Sequence, residues 1–283
     1  MKLNEYLAQA RAGHYAIGHF NFATEDVLKA IVSAAKESGV PCVMVGTSEG
    51  EADFVGLREA VALVRAVSED FGYPVFLNAD HFKSFDKCKA AIDAGYDSVI
   101  ADGSKLSNAD NMAFAKQVAD YARSKNPDIS VEGELGYLKG SSEVQTKIEI
   151  STADYSKPEE VAAFVQQTGV DRMAVVFGNI HGIVTDQEEK LDVGHFSNIV
   201  AAAPSPYYVL HGASGLKDAD VEAAIQAGIT NVHFNTELRV AYHDQLAKEI
   251  SEHPSETTPY KYLGPAAEEV KKLVSAKLAL FKK

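Results

Sequence analysis

The chain has 283 residues, with 27 basic and 40 acidic side chains and a formal net charge of −13, which argues against a nucleic-acid or anionic-membrane partner because each needs a basic face. Apolar residues make up 46% and charged ones 24%, enough for a large buried core, and no apolar run approaches the roughly 18 residues that span a bilayer. Two cysteines, Cys42 and Cys88, are too few for a disulfide framework, and the first twenty residues carry charges where a signal peptide needs an unbroken apolar stretch. The expectation is a cytoplasmic protein with reduced thiols.

Along the chain, short β-branched runs alternate with segments of helical period. Tyr15–Phe22 leads to a helix over Glu25–Glu37, Pro41–Ser48 to Leu57–Asp70, Pro74–Asp80 to Phe85–Ala94, and Ser98–Asp102 to Ala109–Ser124. Ser130–Leu135 leads to Pro158–Gln167, Arg172–Asn179 to Val193–Ala202, Tyr207–Leu210 to Asp218–Ala227, and Asn231–Asn235 to Glu237–Ser251. Thr24, Ser84 and Asn108 fit N-caps and Pro158 a first helical turn. Gly39, Gly95, Gly169 and Gly228 fit the left-handed residue that ends a helix.

Nearly continuous apolar runs suit parallel strands covered on both faces. Eight strand–helix units in about 250 residues predict an α/β fold, a (β/α)8 TIM barrel forming a single domain over 1–283. A two-domain doubly wound sheet is the alternative, disfavoured by the even spacing and the lack of a Pro/Gly/Ser-rich linker. Two segments fall outside the repeat: a polar stretch at 136–157, read as a mobile loop over 137–157, and a C-terminal extension over 253–283, made of an extended arm (253–265) and a last helix, Ala266–Phe281.

Polar residues gather where the apolar runs end, at the C-terminal mouth that holds barrel active sites. His81, His181 and His211 close the third, sixth and seventh runs. Three imidazoles from three strands, leaving a coordination position open, match a catalytic zinc site, and Asp102 and Glu134 can add oxygen ligands for a second position. A hydrogen-bonded polar plug is the bland alternative. His195, His243 and His253 read as solvated, His14 as lying at the opposite end of the barrel, and His19 as lining the interior. Gly212-Ala213-Ser214-Gly215 after the seventh run and Asn235-Thr236-Glu237 at a helix start fit the phosphate cradle of this fold, where backbone N–H groups and a helix N-terminus meet. No run contains a lysine for Schiff-base chemistry, so a metal-polarised carbonyl is the favoured electron sink.

The segments NADH (78–81), ADGS (101–104), EGELG (132–136), GNIHG (178–182), LHGASG (210–215) and HFNTE (233–237) resemble the motif series of class II, zinc-dependent ketose-bisphosphate aldolases. The likeness runs in order from HFNF (19–22) to TTPYKYL (257–263). It implies an aldolase that reversibly cleaves a ketose 1,6-bisphosphate, fructose 1,6-bisphosphate first and tagatose 1,6-bisphosphate as the alternative, to dihydroxyacetone phosphate and glyceraldehyde 3-phosphate. Zinc would stabilise the enediolate, held by His81, His181 and His211, with Asp102 and Glu134 at a second or displaced metal position and room for a monovalent cation. Asp80 would handle the C4 hydroxyl proton, and Glu143 would exchange a proton with the triose-phosphate carbon. Gly182, Gly212, Ala213, Ser214, His233, Phe234, Asn235 and Thr236 match triose-phosphate positions, and Ser48 contacts the other half of the substrate. The partners implied are small phosphorylated sugars and further copies of the chain, in a homodimer or homotetramer.

The sequence departs from the commoner pattern at three places. His181-Gly182-Ile183-Val184-Thr185 lacks the phosphate-holding lysine, Ala213 stands where glycine is frequent, and His233 where asparagine is frequent. A metal-dependent hydrolase is a rival reading, but it usually needs His-x-His at the end of the first strand, where this chain has His19-Phe20-Asn21. A non-catalytic relative is the other rival, and the intact ligand set with Asp80 speaks against it.

Overall fold

The computed structural model describes residues 1–282. Its elements run α1 (Leu3–Gly13), β1 (Ile17–Asn21), α2 (Glu25–Ser38), β2 (Val43–Ser48), α3 (Glu49–Val55), α4 (Leu57–Phe71), β3 (Val75–Phe82), α5 (Phe85–Ala94), β4 (Ser98–Ala101) and α6 (Asn108–Lys125). They continue with β5 (Ser130–Leu135), β6 (Gly140–Gln145), α7 (Pro158–Thr168), β7 (Arg172–Val175), β8 (His181–Val184), α8 (Val193–Ala202), β9 (Tyr207–Leu210), α9 (Asp218–Ala227), β10 (Ile229–Phe234), α10 (Thr236–Glu252) and α11 (Pro259–Leu280). Eight parallel strands close in the order β1-β10-β9-β7-β5-β4-β3-β2, so the chain is a TIM barrel and not a doubly wound sheet. The largest buried cluster lies between these strands and the helix layer, with Phe20, Phe164, Phe177, Phe234 and Phe281 fully enclosed. No helix among the described residues is long and apolar enough to cross a membrane.

Three features differ from the sequence reading. A helix, α1, precedes the first strand and packs Leu3, Tyr6, Leu7 and Ala10 with Ile17, Cys42 and Met44, sealing the N-terminal end of the barrel. The sixth run is a strand only over Arg172–Val175, and beyond it His181–Val184 forms a separate strand outside the barrel that pairs in parallel with Gly140–Gln145 from the polar stretch. The arm is largely helix, because α11 starts at Pro259, where a missing N–H costs nothing, and continues through Pro265 as it packs on α2 and α10. Ser107, not Asn108, caps α6, its hydroxyl accepting from the Asp110 N–H, and Thr24 precedes α2 without a side-chain cap bond.

Candidate metal centre and substrate cavity

Strand alternation decides which side chains face the barrel axis. Glu132 and Glu134 point inward from β5, and His233 points inward from β10 while Phe234 packs outward against Phe20 and Phe281. Phe234, expected at the substrate, therefore belongs to the shell between barrel and helices. Asp80 and His81 are consecutive, so period two would send them to opposite faces. The chain resolves this by slipping register against β4 between Ala79 and Phe82 and by placing His81 at φ +53. A non-glycine residue in the left-handed region is strained, and here the strain turns both side chains to the mouth.

His81, His181 and His211 each offer a ring nitrogen, all within 4.8 Å of one another. His81 Nε2 lies 3.1 Å from His211 Nδ1, and the His181 ring stands edge-on to His81 with centroids 4.9 Å apart. His81 Nδ1 faces Asp102 Oδ2 and Glu134 Oε2, each at 3.1 Å, so His81 with Asp102 and Glu134 forms a second adjacent ligand group. Burial opposes charge on His81, but the carboxylates of Glu134, Asp80 and Asp102 outweigh it and raise the imidazole well above its ordinary value. Burial pushes His181 down, helped by the charge of His81. Burial and the neighbouring Asp102 raise Glu134, against the pull of His81. A half-buried set of nitrogen and carboxylate donors, the ligand atoms of each group within 4.8 Å of one another, fits a divalent metal ion.

Asp80 is 6% exposed. Burial favours its neutral form, but the imidazoles of His81, His19 and His211 prevail and the carboxyl is lowered to about 2. Asn21 donates one amide N–H to Asp80 Oδ2 at 2.9 Å and another to Glu51 Oε2 at 2.8 Å. Glu51 in turn accepts from the Ser48 backbone N–H at 2.7 Å, so the Ser48–Glu51 capping box of α3 is tied to Asp80.

The strand ends surround a cavity of about 360 Å3 lined by Ser48, Asp80, the three histidines, Asp102, Glu134, Gly182, Gly212, Ala213, Ser214, His233, Asn235 and Thr236. Gly212 has φ +66, and a Cβ there would run into the Ile180 carbonyl oxygen, so glycine is required for the loop to approach β8 this closely. Glu143 is not brought to the cavity: it is exposed on β6 and accepts from Ser141 Oγ at 3.3 Å. His243 and His253 are exposed, whereas His195, expected in solvent, is half-buried and bonded to the Ser156 carbonyl at 2.8 Å.

Sequence reasoning missed two floor residues, Glu132 and Arg172, whereas His19 lines the interior as expected. Glu132 Oε1 lies 2.6 Å from His211 Nε2, and its Oε2 lies 2.6 Å from Arg172 Nη1, with both side chains of that ion pair fully buried. The signal was available: Ser130, Glu132 and Glu134 alternate, so all three had to share the inner face. His19 is stacked on His233 with centroids 3.7 Å apart, its ring lying against Gly46, where a Cβ would collide with it.

The profile of the family described as "Fructose-bisphosphate aldolase class-II" matches residues 1–283. The chain belongs to the class II fructose-bisphosphate aldolase family. Membership makes it an aldolase, a carbon–carbon lyase. The chain is 33% identical to a fructose-bisphosphate aldolase of Geobacillus stearothermophilus over 99% of its own length and 96% of the relative's. It is 34% identical to one from Staphylococcus aureus strain Mu50 with the same coverage. Among solved structures, the YdjI aldolase of Escherichia coli K12 superposes with a TM-score of 0.84 at 27% identity, covering 99% of this chain and 96% of that one. The fructose-bisphosphate aldolase of Campylobacter jejuni shares the fold, with a TM-score of 0.82 at 20% identity over 99% and 93%.

Proposed function

We propose that this chain is a zinc-dependent aldolase that reversibly cleaves a ketose 1,6-bisphosphate, fructose 1,6-bisphosphate first, into dihydroxyacetone phosphate and glyceraldehyde 3-phosphate. The observation that carries the reading is the meeting of three imidazoles with an ionised aspartate beside a glycine-rich loop and a helix start. Zinc on His81, His181 and His211 would supply Lewis-acid polarisation of the substrate carbonyl. Asp102 and Glu134 would hold the Nδ1 side of His81 or take an ion at the adjacent position.

Asp80 acts as the proton acceptor for the C4 hydroxyl when the carbon–carbon bond breaks. Asn21 occupies its Oδ2, and Oδ1 is left for substrate, since it is buried without a hydrogen-bond partner. In the synthetic direction the same group returns the proton. The triose phosphate is held by backbone N–H groups of Gly212–Ser214 and by the start of α10 at Asn235 and Thr236. Without a lysine after Gly182, this grip rests on backbone dipoles, the Ser214 hydroxyl and the cationic side chains that also line the cavity, Arg239 at the start of α10 among them. Ser48, tied to Asp80 through Glu51 and Asn21, faces the other half of the substrate. Glu143 reaches the triose-phosphate carbon only if β6 moves. A homodimer or homotetramer in the cytoplasm, acting on small phosphorylated sugars, completes the proposal.

The test is a coupled cleavage assay on fructose and tagatose 1,6-bisphosphate, before and after chelation. Activity should fall to background in the stripped protein, return with zinc and show no trapping by borohydride. Activity that survives chelation and is trapped by borohydride would overturn the reading, and kcat/KM for the two epimers assigns the substrate.

A further inference from the structure

We infer that Glu132, paired with the buried Arg172, is a positioning residue that sets which ring nitrogen His211 presents to the cavity, as Asn231, on the same guanidinium, does for His233; the inference rests on the metal-centre reading above. Arg172 opens β7, is fully buried, donates to Asn78 Oδ1 (3.0 Å), Asn231 Oδ1 (3.2 Å) and Ser130 Oγ (3.2 Å), and is ion-paired with Glu132, its Nη1 2.6 Å from Oε2. Two of these partners hold a histidine of the cavity.

The first route runs through Glu132. Its Oε1 lies 2.6 Å from His211 Nε2. A carboxylate paired with a guanidinium only accepts, so His211 Nε2 carries the hydrogen and Nδ1 offers its lone pair to the side where His81 Nε2 stands 3.1 Å away. The second route runs through Asn231. Its amide N–H donates to the Ile17 carbonyl at 2.9 Å, which fixes the amide orientation and leaves Oδ1 to accept from Arg172 and from His233 Nε2, also at 2.9 Å. His233 therefore turns Nδ1 toward Asp80 Oδ1, 3.5 Å away. An enclosed ion pair is a poor source of stability, because well-packed apolar residues often serve as well. Orientation of two imidazoles is what an apolar pair would not supply. Partners of this kind behind a metal-binding histidine are worth about 10–100-fold in metal affinity.

The test begins with the metal-free protein labelled with 15N in histidine. His211 should appear as the Nε2–H tautomer, and an Nδ1–H tautomer overturns the proposal whatever the metal does. Zinc affinity is then measured by competition with a chromophoric chelator in two neutralised pairs. Arg172→Met with Glu132→Leu removes the acceptor and should weaken binding about 10–100-fold. Arg172→Met with Glu132→Gln keeps an acceptor without the charge and should recover most of that loss. Wild-type affinity in the Leu pair overturns the inference, and so does equal weakening in both pairs. Wild-type zinc affinity in His211→Ala would instead sink the metal centre itself. Should the Leu pair fail to fold, the tautomer measurement decides.

Discussion

The floor and the rim of the cavity are built differently. On the floor, Arg172, Glu132, Asn78, Asn231 and His19 are all fully buried, and bonds such as Arg172–Asn78 and Asn78–His19 cross the barrel interior between strands that are not neighbours. At the rim, β6 and β8 form a two-stranded sheet whose side chains are mostly exposed or half-buried, held by bonds such as those from Gln145 Nε2 to the Ser141 and His181 carbonyls. The proposed ligand set straddles the two. His81 and His211 are rooted in barrel strands or at their ends, whereas His181 belongs to the rim sheet, its strand paired with Gly140. Chemistry that needs fixed geometry is thus anchored in strands packed on both faces. Groups that must admit and release substrate hang on an element with little buried surface.

Substitutions in each region can break or sharpen this contrast. The largest effect is expected on the barrel-strand side of the cavity: Asp80→Asn, near the end of β3, removes the proposed proton acceptor while keeping its hydrogen-bonding shape, so kcat for cleavage should fall about 10²–10⁴-fold. Zinc content should stay at the wild-type level by metal analysis, and unchanged turnover would remove Asp80 from the mechanism. At the rim, Glu143→Ala should slow proton exchange at the triose-phosphate carbon, followed by isotope exchange from solvent. Its unfolding free energy should stay within about 0.5 kcal/mol of wild type, because the side chain is exposed. Exchange at the wild-type rate would take Glu143 out of the reaction.

The smallest effect concerns Glu189, between β8 and α8, whose carboxyl is pushed up to about 8 by burial. Between the ordinary carboxylate value and that point, the folded chain holds a proton that the unfolded chain has lost, so this group makes stability fall as pH rises. Glu189→Gln should match wild type near pH 4 and exceed it by roughly 1–3 kcal/mol above pH 8 in denaturant midpoints. A constant difference across that range would show that Glu189 does not titrate there.

Much of the fold was legible because period and punctuation are local properties. The bounds of α5 and α9 follow from Ser84, Gly95 and Gly228 with the apolar spacing between them, and the barrel follows from repetition. The end of the barrel strand at Val175, short of Asn179, and the separate rim strand His181–Val184 were not legible, because an apolar run does not state which sheet receives it. Nor was the helical course through Pro265, which packing on α2 and α10 imposes against propensity.

The sequence alone determined the composition of the site: which imidazoles, carboxylates and glycines stand at strand ends, since chain order and strand period are written in it. Only the tertiary structure decided that Asp80 and His81 share one face, that Phe234 looks away, and that Arg172 lies beneath His211. Each of those outcomes depends on register between strands distant in the chain, which closure of the barrel sets and no local pattern encodes.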